Sequence, residues 1–343
     1  MRSHRAGLPQ TVLKQGSYPM TVTTLFKSAT ATAAITLSVA AAPALAEYPE
    51  RPVTMIVAWG AGGSTDTMAR IFSDYIGEDL GQRFVVENRE GAGGEVGWTA
   101  LANAEADGYT IGLINSPSFE SKGIVRDDVG YSMEDIRPLV NVVTDPGVIA
   151  VSADSPYETL DDFVEAAKEN PGELSVSHEG VGGDDHLAAL DFTDKAGIDV
   201  NFVTFDGNAE ATAALQGGHI DAFEGNMSEV ANQIENGSVR ALAVWSSERM
   251  DAIPDVPTGQ EQGYDVISAA SRGLAVPAEL SDEQYNTLLE AARGVIENEE
   301  FRAELAELNM PVVPIYGEDF VQFLENNRDT LQNLWEKDPW IEQ

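Results

Sequence analysis

The strongest constraint in this sequence is the alternation of short apolar runs with amphipathic stretches. Within residues 64–80, for example, the apolar side chains of Met68, Phe72 and Ile76 recur at helical spacing. Strands alternating with helices are typical of a parallel α/β sheet. The first strand, helix, strand, helix and strand are predicted over 53–59, 64–80, 84–87, 97–104 and 109–114.

A second series of the same kind follows and predicts a second α/β unit. Its strands are predicted over 148–151, 174–177, 201–205, 220–224 and 241–245, and its helices over 159–168, 186–196, 209–216 and 227–236. The last third returns to helices, predicted over 282–298, 299–308 and 318–337. The pattern indicates two α/β lobes.

Glycine-rich turns at two strand ends are the candidate binding elements, because open α/β sheets bind ligands at the carboxyl ends of their strands. The first turn, Trp59-Gly-Ala-Gly-Gly-Ser-Thr-Asp66, joins a predicted strand to a predicted helix. Its glycines permit close backbone approach, and Ser64 is placed to act as N-cap. The free N–H groups of a helix start bind anions, so this turn predicts a carboxylate or phosphate site.

The second turn, Asn88-Arg-Glu-Gly-Ala-Gly-Gly-Glu-Val-Gly97, again follows a strand and opens a helix. Its glycines resemble a dinucleotide-binding turn, but the spacing G-x-G-x-x-x-G is one residue longer than the G-x-G-x-x-G form. A phosphate-binding P-loop is excluded because no Gly-Lys-Ser/Thr occurs. Two helix starts facing one cleft favour a small anion, and no cofactor is expected.

The charge balance excludes nucleic acid as a partner. The chain has 57 Asp and Glu against 20 Lys and Arg, a formal net charge of −37, and no cysteine. Nucleic-acid binding requires bases that neutralise phosphates, and disulfide or thiolate sites require cysteine. We interpret the acidity as a solvated surface suited to high salt, which screens its self-repulsion.

The N-terminus is predicted to be a cleaved signal peptide, residues 1–46. It holds four bases and no acid, then an apolar stretch over 29–42 and the small-residue sequence Ala44-Leu-Ala46. The apolar stretch is shorter than the ~20 residues of a spanning helix. Met20 would make a conventional start, so residues 1–19 are interpreted as an over-long gene start. The mature protein is expected in the periplasm, as a monomer.

Enzymatic catalysis is not indicated by the sequence. There is no Gly-x-Ser-x-Gly elbow and no His-Glu-x-x-His motif. Asp184-Asp185-His186 follows a glycine-rich turn and is interpreted as a helix start, with its acids at the positive end of the helix dipole. We therefore expect neither an enzyme nor a metal site; a secreted α/β enzyme is the less favoured alternative.

Several motifs together resemble those of the solute-binding proteins of tripartite tricarboxylate transporters, the Bug or TctC-type family. They occur in family order and span nearly all of the chain after the leader. The motifs are Tyr48-Pro-Glu-Arg-Pro-Val53, Gly62-Gly-Ser-Thr-Asp66, Glu87-Asn-Arg-Glu-Gly-Ala-Gly-Gly94, Ala106-Asp-Gly-Tyr-Thr110, Leu215-Gln-Gly-Gly-His-Ile-Asp-Ala222 and Asp255-Val-Pro-Thr258.

The resemblance implies a periplasmic binding protein of type II, a "Venus flytrap" of two α/β lobes joined by two crossing segments. Lobe one would comprise 47–147 and 248–343, and lobe two 148–247. Such proteins capture organic carboxylates between the lobes and deliver them to the membrane permease subunits of the transporter. A receptor of the same fold that feeds a sensor kinase is the alternative.

The resemblance also implies which residues bind the ligand. Lobe one would hold the carboxylate with the backbone of its two glycine-rich loops, and lobe two would close over it. Trp59 is expected either to form a wall of the pocket or to pack at the sheet edge. The implied residues are Trp59, Gly60, Ala61, Gly62, Gly63, Ser64, Thr65, Asp66, Asn88, Gly91, Ala92, Gly93, Gly94, Asn115, Ser116, Gly183, His186, Asp206 and Gly207.

This chain departs from the family pattern at three places. Ala58-Trp59 replaces Pro-Phe, and acids occur at Asp184, Asp185 and Asp206 where the family has neutral or basic residues. Acids that face the cleft would disfavour a second ligand carboxylate and favour an amino or hydroxyl group. Acids that face solvent would have no such effect, so the sequence leaves the carboxylate unidentified.

Overall fold

A computed structural model describes residues 48–337 and 339–340 of the chain. The predicted signal peptide lies outside the described residues. The first part of the fold alternates strands and helices, as predicted. It consists of β1 Val53–Val57, α1 Ser64–Asp79, β2 Phe84–Asn88, α2 Glu95–Ala102, β3 Thr110–Ser116, α3 Ser118–Val125 and β4 Ile136–Ser152.

The middle part repeats this alternation. It consists of α4 Leu160–Glu169, β5 Ser175–His178, α5 Asp184–Ala196, β6 Asn201–Thr204, α6 Asn208–Gln216, β7 Ala222–Asn226, α7 Met227–Glu235 and β8 Val239–Val244. The last part adds β9 Ala269–Pro277, α8 Asp282–Glu297, α9 Glu299–Glu307, β10 Val312–Tyr316 and α10 Gly317–Lys337. The predicted elements are present with small shifts at their ends, whereas α3, β9, β10 and most of β4 were not predicted.

The ten strands of the described residues form one mixed sheet in the order β2-β1-β3-β9-β4-β7-β5-β6, with β8 and β10 also paired to β4. β1 pairs in parallel with β2 and β3, and β5 pairs in parallel with β6 and β7. The predicted parallel pairing is therefore confirmed for these strands, whereas β9 and β4 pair antiparallel to their neighbours. Antiparallel pairing requires no helical crossover, so the alternating pattern does not reveal it.

The 17-residue strand β4 links the two halves of the sheet. Its first part pairs with β9, up to the partners Pro146 and Ala269, and its last part pairs with β7, from Gly147 onward. The amide of Gly147 also donates to the carbonyl of Ser268, at 2.9 Å, just before β9 begins. The chain therefore passes between the halves at two adjacent places.

Buried apolar residues form three clusters that follow this division. One unites β1–β3, the first part of β4, β9 and the C-terminal helices. The other two clusters unite the last part of β4 with α4–α7. Val266 belongs to one of these two clusters, and Val256 packs against the other. The two predicted lobes remain a proposal, and this packing favours a second lobe that extends beyond residue 247 to about the start of β9.

Candidate functional site

A cavity of about 590 Å³ lies where β1, β5 and β6 end. One wall is the first glycine-rich turn from Trp59 to Thr65, and the opposite wall is the turn before α6 together with the first residues of α7. Of the residues expected to bind ligand, the structure brings nine together around this cavity: Trp59, Gly60, Ala61, Gly62, Gly63, Ser64, Thr65, Asp206 and Gly207.

The shape of the first turn is fixed by a carboxylate beneath it. Asp66 accepts hydrogen bonds from the amide of Gly62 at 2.8 Å, from Arg70 at 2.8 and 2.9 Å, and from the side-chain amide of Asn88 at 2.9 Å. Asn88 also donates to the carbonyl of Trp59. Burial acts to raise the pKa of Asp66, but these hydrogen bonds outweigh it and lower the pKa. Asp66 and Asn88 therefore position the turn without lining the cavity.

The start of α1 forms part of the cavity wall and is suited to bind an anion. Its N-cap residue is Gly63, with φ −74° and ψ 172°, and no side chain of the described residues caps the helix. The prediction that Ser64 is the N-cap was wrong, because Ser64 is already helical. The first amides of a helix have no intrahelical acceptor, so they remain available to an anion in the cavity.

The hydroxyl groups at this helix start are held by a buried guanidinium. Arg272 of β9 donates to Ser64 Oγ at 2.9 Å and to Thr65 Oγ1 at 3.2 Å. Thr65 Oγ1 also accepts from the side chain of Asn115, at 3.1 Å, and Ser64 donates to Glu229 at 2.8 Å. Asn115 therefore supports Thr65 from behind and is not part of the cavity wall.

Arg272 is the centre of an ion cluster that joins β9, β4 and α7. It lies 2.6 Å from Asp145 and 3.5 Å from Glu229, and it donates to Asn226 Oδ1 at 3.0 Å. All four side chains are buried or nearly so. Sequence reasoning missed Arg272 and Glu229; the signal was a single Arg inside the apolar run 269–277.

The second glycine-rich turn, Gly91–Gly94, is packed against another turn and does not line the cavity. The Cα of Gly93 lies 3.5 Å from the position that a Cβ would take on Gly180, after β5. Lys122 lies beside this contact and donates to the carbonyl of Val181 at 3.3 Å. Burial lowers the pKa of Lys122. The turn is thus placed to join the two halves of the fold, and its contact with a ligand carboxylate stays a prediction.

His186 and Gly183 lie at the start of α5, where the polar groups are satisfied internally. His186 Nδ1 accepts from the amide of Gly182 at 3.2 Å, and burial next to His178 lowers the pKa of His186 to about 3. Asp185 accepts from the amides of Glu179 and of His186, at 2.5 and 2.7 Å. The start of α5 is therefore occupied by its own carboxylate, and neither His186 nor Gly183 lines the cavity.

Ser116 borders a different cavity, of about 1000 Å³, formed with α5 and α10. Its hydroxyl donates to Glu120 at 2.6 Å and accepts from Asn327 at 2.9 Å. Burial raises the pKa of Glu120 to about 7. The structure thus separates Ser116 from the cavity that the first glycine-rich turn forms.

The described residues were also compared with the requirements of a metal site and of a membrane span. Among them, no group of three or more His, Cys, Asp or Glu side chains is arranged to bind a metal ion. None of their helices combines the length and apolarity needed to cross a membrane.

Comparison with known proteins gives consistent similarities. Residues 68–338 match the model of the tripartite tricarboxylate transporter family receptor, TctC. Protein BugT of Bordetella pertussis is 37% identical over 227 residues, which are 65% of this chain and 70% of BugT. The structure of the periplasmic binding protein BugD is similar with a TM-score of 0.80 and 29% identity, over 84% of this chain and 98% of BugD. A periplasmic transporter structure is similar with a TM-score of 0.81 and 31% identity, over the same shares.

Proposed function

Because this chain belongs to the family of tripartite tricarboxylate transporter receptors and has the periplasmic binding protein fold, we propose that it is an extracytoplasmic solute-binding protein. It captures a small organic carboxylate in the cavity at the start of α1 and delivers it to the membrane permease of such a transporter. It acts in the periplasm, as a monomer, without enzymatic activity or cofactor.

The observation that carries this proposal is the uncapped start of α1 in the cavity wall. Gly63 precedes the helix, and the cavity of about 590 Å³ is large enough for a small organic acid. Helix starts stabilise negative charge through their free amides and the helix dipole. Because the net charge of the protein is −37, attraction of an anionic ligand to the cavity comes from local groups such as this helix start and not from the overall charge.

Capture requires that ligand binding favour the form in which the two walls approach each other. The cavity walls come from the α1 turn on one side and the α6 turn on the other, and β4 and residue 268 connect the two halves. A ligand that contacts both walls binds the closed form more tightly than an open one and shifts the population toward it.

A thermal-shift screen tests the binding part of the proposal. Di- and tricarboxylates, aromatic acids and amino acids are compared with sugars and simple amines at high salt. We expect at least one carboxylate class to raise Tm in a concentration-dependent manner. Stabilisation by a sugar or an amine alone, with every carboxylate inactive, would contradict the proposal.

Delivery is tested by reconstituting the permease subunits encoded with such receptors in vesicles. Uptake of the carboxylate found in the screen should depend on added binding protein. Uptake that is unaffected by the protein, despite binding in solution, would favour a sensory role over a transport role.

A further inference from the structure

Glu229 is buried where the two halves of the fold meet. Its carboxylate accepts from Ser64 at 2.8 Å and lies 3.5 Å from the guanidinium of Arg272. Ser64 begins α1 and Arg272 belongs to β9, both in the first half, whereas α7, which carries Glu229, packs in the second half. The side chain of Glu229 is only 8% exposed. Moving the halves apart would remove both partners and return the carboxylate to water.

Three carboxylates share the positive charge of Arg272. Its guanidinium lies 2.6 Å from Asp145 and donates to Asn226, which in turn donates to Asp184 at 2.7 Å. Glu229 is the third acid, at the longer distance. One guanidinium balances only one of these charges, and a buried carboxylate without a counter-charge is unfavourable. A proton on one of the acids removes this cost.

Glu179 adds a further carboxylate next to Glu229. The amide of Asn208 donates to Glu179 at 2.8 Å, and the side chain of Asn208 donates to Glu229 at 2.7 Å. The two acids therefore flank one residue and repel each other when both are ionised. Burial raises the pKa of Glu229 to about 7 from its usual 4.5, although Arg272 acts against this. Burial and the charge of Glu229 raise the pKa of Glu179 well above its usual value.

The bases that face this region are two histidines and one lysine. Burial lowers the pKa of both His178 and His186 below the usual 6.5, so at neutral pH they carry no charge. Lys122 of α3 crosses from the first half and donates to the carbonyl of Val181 at 3.3 Å. Burial lowers the pKa of Lys122, so closing of the halves favours loss of its proton and acts against an uptake at the carboxylates.

The other acids near the pair are held within the second half or lie in water. Asp185 accepts from the amide of Glu179 at 2.5 Å, and Glu224 accepts from the indole of Trp245. Burial raises the pKa of Asp184, Asp185 and Glu224, but their bonds to second-half partners persist when the halves separate. The exposed acids of the cavity lining, whose charge water screens, are Glu90, Asp206 and Glu210.

We propose that the two halves close with uptake of a proton by the Glu179–Glu229 pair, so that acid favours ligand capture and alkali favours release. In the open form both carboxylates face water and are ionised at neutral pH, whereas in the closed form they lie together in a buried interface. Protons therefore stabilise the closed form at low pH, and this stabilisation is lost as pH rises through about 7. The inference rests on the proposed function, because it couples protons to the closing step of capture.

The distance between two spin labels tests the inference on the ligand-free protein. The chain contains no cysteine, so Asp74→Cys on α1 and Glu165→Cys on α4, both exposed, provide unique labelling sites in the first and the second half. Double electron–electron resonance then gives the ratio of closed to open molecules at constant ionic strength. This ratio should rise about ten-fold from about pH 8 to about pH 6, as expected for a pKa that changes from 4.5 to about 7 on closing.

The double variant Glu179→Gln/Glu229→Gln should keep the closed-to-open ratio constant within about two-fold between these pH values, because glutamine cannot ionise. It retains Lys122, so any contribution of that residue appears in it alone. Glu235→Gln, an exposed substitution on α7, is the matched control and should show the full pH dependence of the wild type. A purely structural role of the pair would change the ratio equally at both pH values.

Calorimetry of the carboxylate that raises Tm most in the thermal-shift screen gives a second readout. In buffers of different ionisation heat, its binding at about pH 6 should take up about one proton per protein molecule.

The outcomes separate this inference from the proposed function. Carboxylate binding without proton uptake, together with a pH-independent closed-to-open ratio, would overturn the inference and leave carboxylate capture intact. A ratio that rises in acid although no carboxylate binds would overturn the proposed function and leave proton-linked closing intact. A pH dependence that persists in the double variant would overturn the assignment to Glu179 and Glu229.

Discussion

The guanidinium of Arg272 lies 2.6 Å from a carboxylate oxygen of Asp145, and both side chains are almost completely buried. Asp145 also accepts from the hydroxyl and the amide of Ser228, at the start of α7. This pair therefore joins β9, β4 and α7 directly behind the helix start that we propose as the anion site.

Arg272→Met should destabilise the protein by about 3–5 kcal/mol, because it leaves Asp145 and Glu229 buried without their cation. Urea unfolding measures this loss. Arg249→Met is the control: Arg249 and Glu261 pair with side chains 42% and 46% exposed, so its loss should be about 0–1 kcal/mol. Equal losses in the two variants would show that burial adds nothing to the Arg272 cluster.

Gly63→Val should reduce carboxylate affinity by about 100-fold or more, roughly 2.7 kcal/mol, while the protein stays folded. The backbone of Gly63 is in an extended conformation that any residue adopts, and a Cβ there meets only the carbonyl oxygen of Gly60, at 3.7 Å. The added methyl groups would occupy the cavity at the helix start. Calorimetry measures affinity, and circular dichroism confirms folding.

Gly294→Val, on the exposed surface of α8, is the matched control for Gly63→Val. A Cβ at Gly294 meets nothing within 4 Å, so carboxylate affinity should not change. Unchanged affinity in Gly63→Val as well would place the carboxylate elsewhere in the protein.

Gly93→Ala should weaken ligand binding through the contact between the two halves of the fold. A Cβ at Gly93 would lie 2.6 Å from Lys122 Nζ, so the ammonium group of Lys122, which lies beside the contact between this turn and Gly180, must move. Because φ at Gly93 is +59°, the substitution should also cost about 1–2 kcal/mol of folding stability.

Gly81→Ala separates these two effects. Gly81 has a similar φ, +65°, but a Cβ there meets nothing within 4 Å and the residue is not in the cavity wall. It should lose comparable stability in urea unfolding and keep full affinity in calorimetry. Loss of affinity in both variants would mean that backbone strain alone, and not the turn contact, explains the effect.

Glu120→Gln should stabilise the protein at high pH and leave it unchanged at low pH. Burial raises the pKa of Glu120 to about 7 from its usual 4.5. The folded protein therefore retains a proton that the unfolded chain releases, so stability is full below pH 4.5 and is lost as pH rises toward 7. A glutamine side chain cannot ionise and avoids this loss.

The free energy of unfolding of Glu120→Gln should exceed that of the wild type by on the order of 3 kcal/mol at about pH 8. At about pH 4 the difference should be close to zero. Urea unfolding of wild type and variant at both pH values measures it. Glu165→Gln, exposed on α4, should show no such pH-dependent difference. A gain of equal size at both pH values would show that packing, and not ionisation, distinguishes the Glu120→Gln variant from the wild type.

Local patterns in the sequence determined most elements of the fold and the wall of the candidate site that the start of α1 forms. The apolar spacing of Met68, Phe72 and Ile76 predicted α1, and the glycines before Ser64 predicted that its start would be open to an anion. These features depend on residues that are close together in the chain, so they can be predicted from the sequence. The family motifs extended the same information to the whole chain.

The tertiary structure alone decided which distant groups share the cavity and which do not. Arg272 and Asp145 are 127 residues apart, and Glu179 meets the start of α6 29 residues later; no local pattern encodes such pairings. The second glycine-rich turn has the same local signature as the first, yet its glycine segment Gly91–Gly94 packs against Gly180 and does not line the cavity. A glycine pattern fixes which backbone conformations are possible, whereas the packing of remote strands and helices fixes what each turn faces.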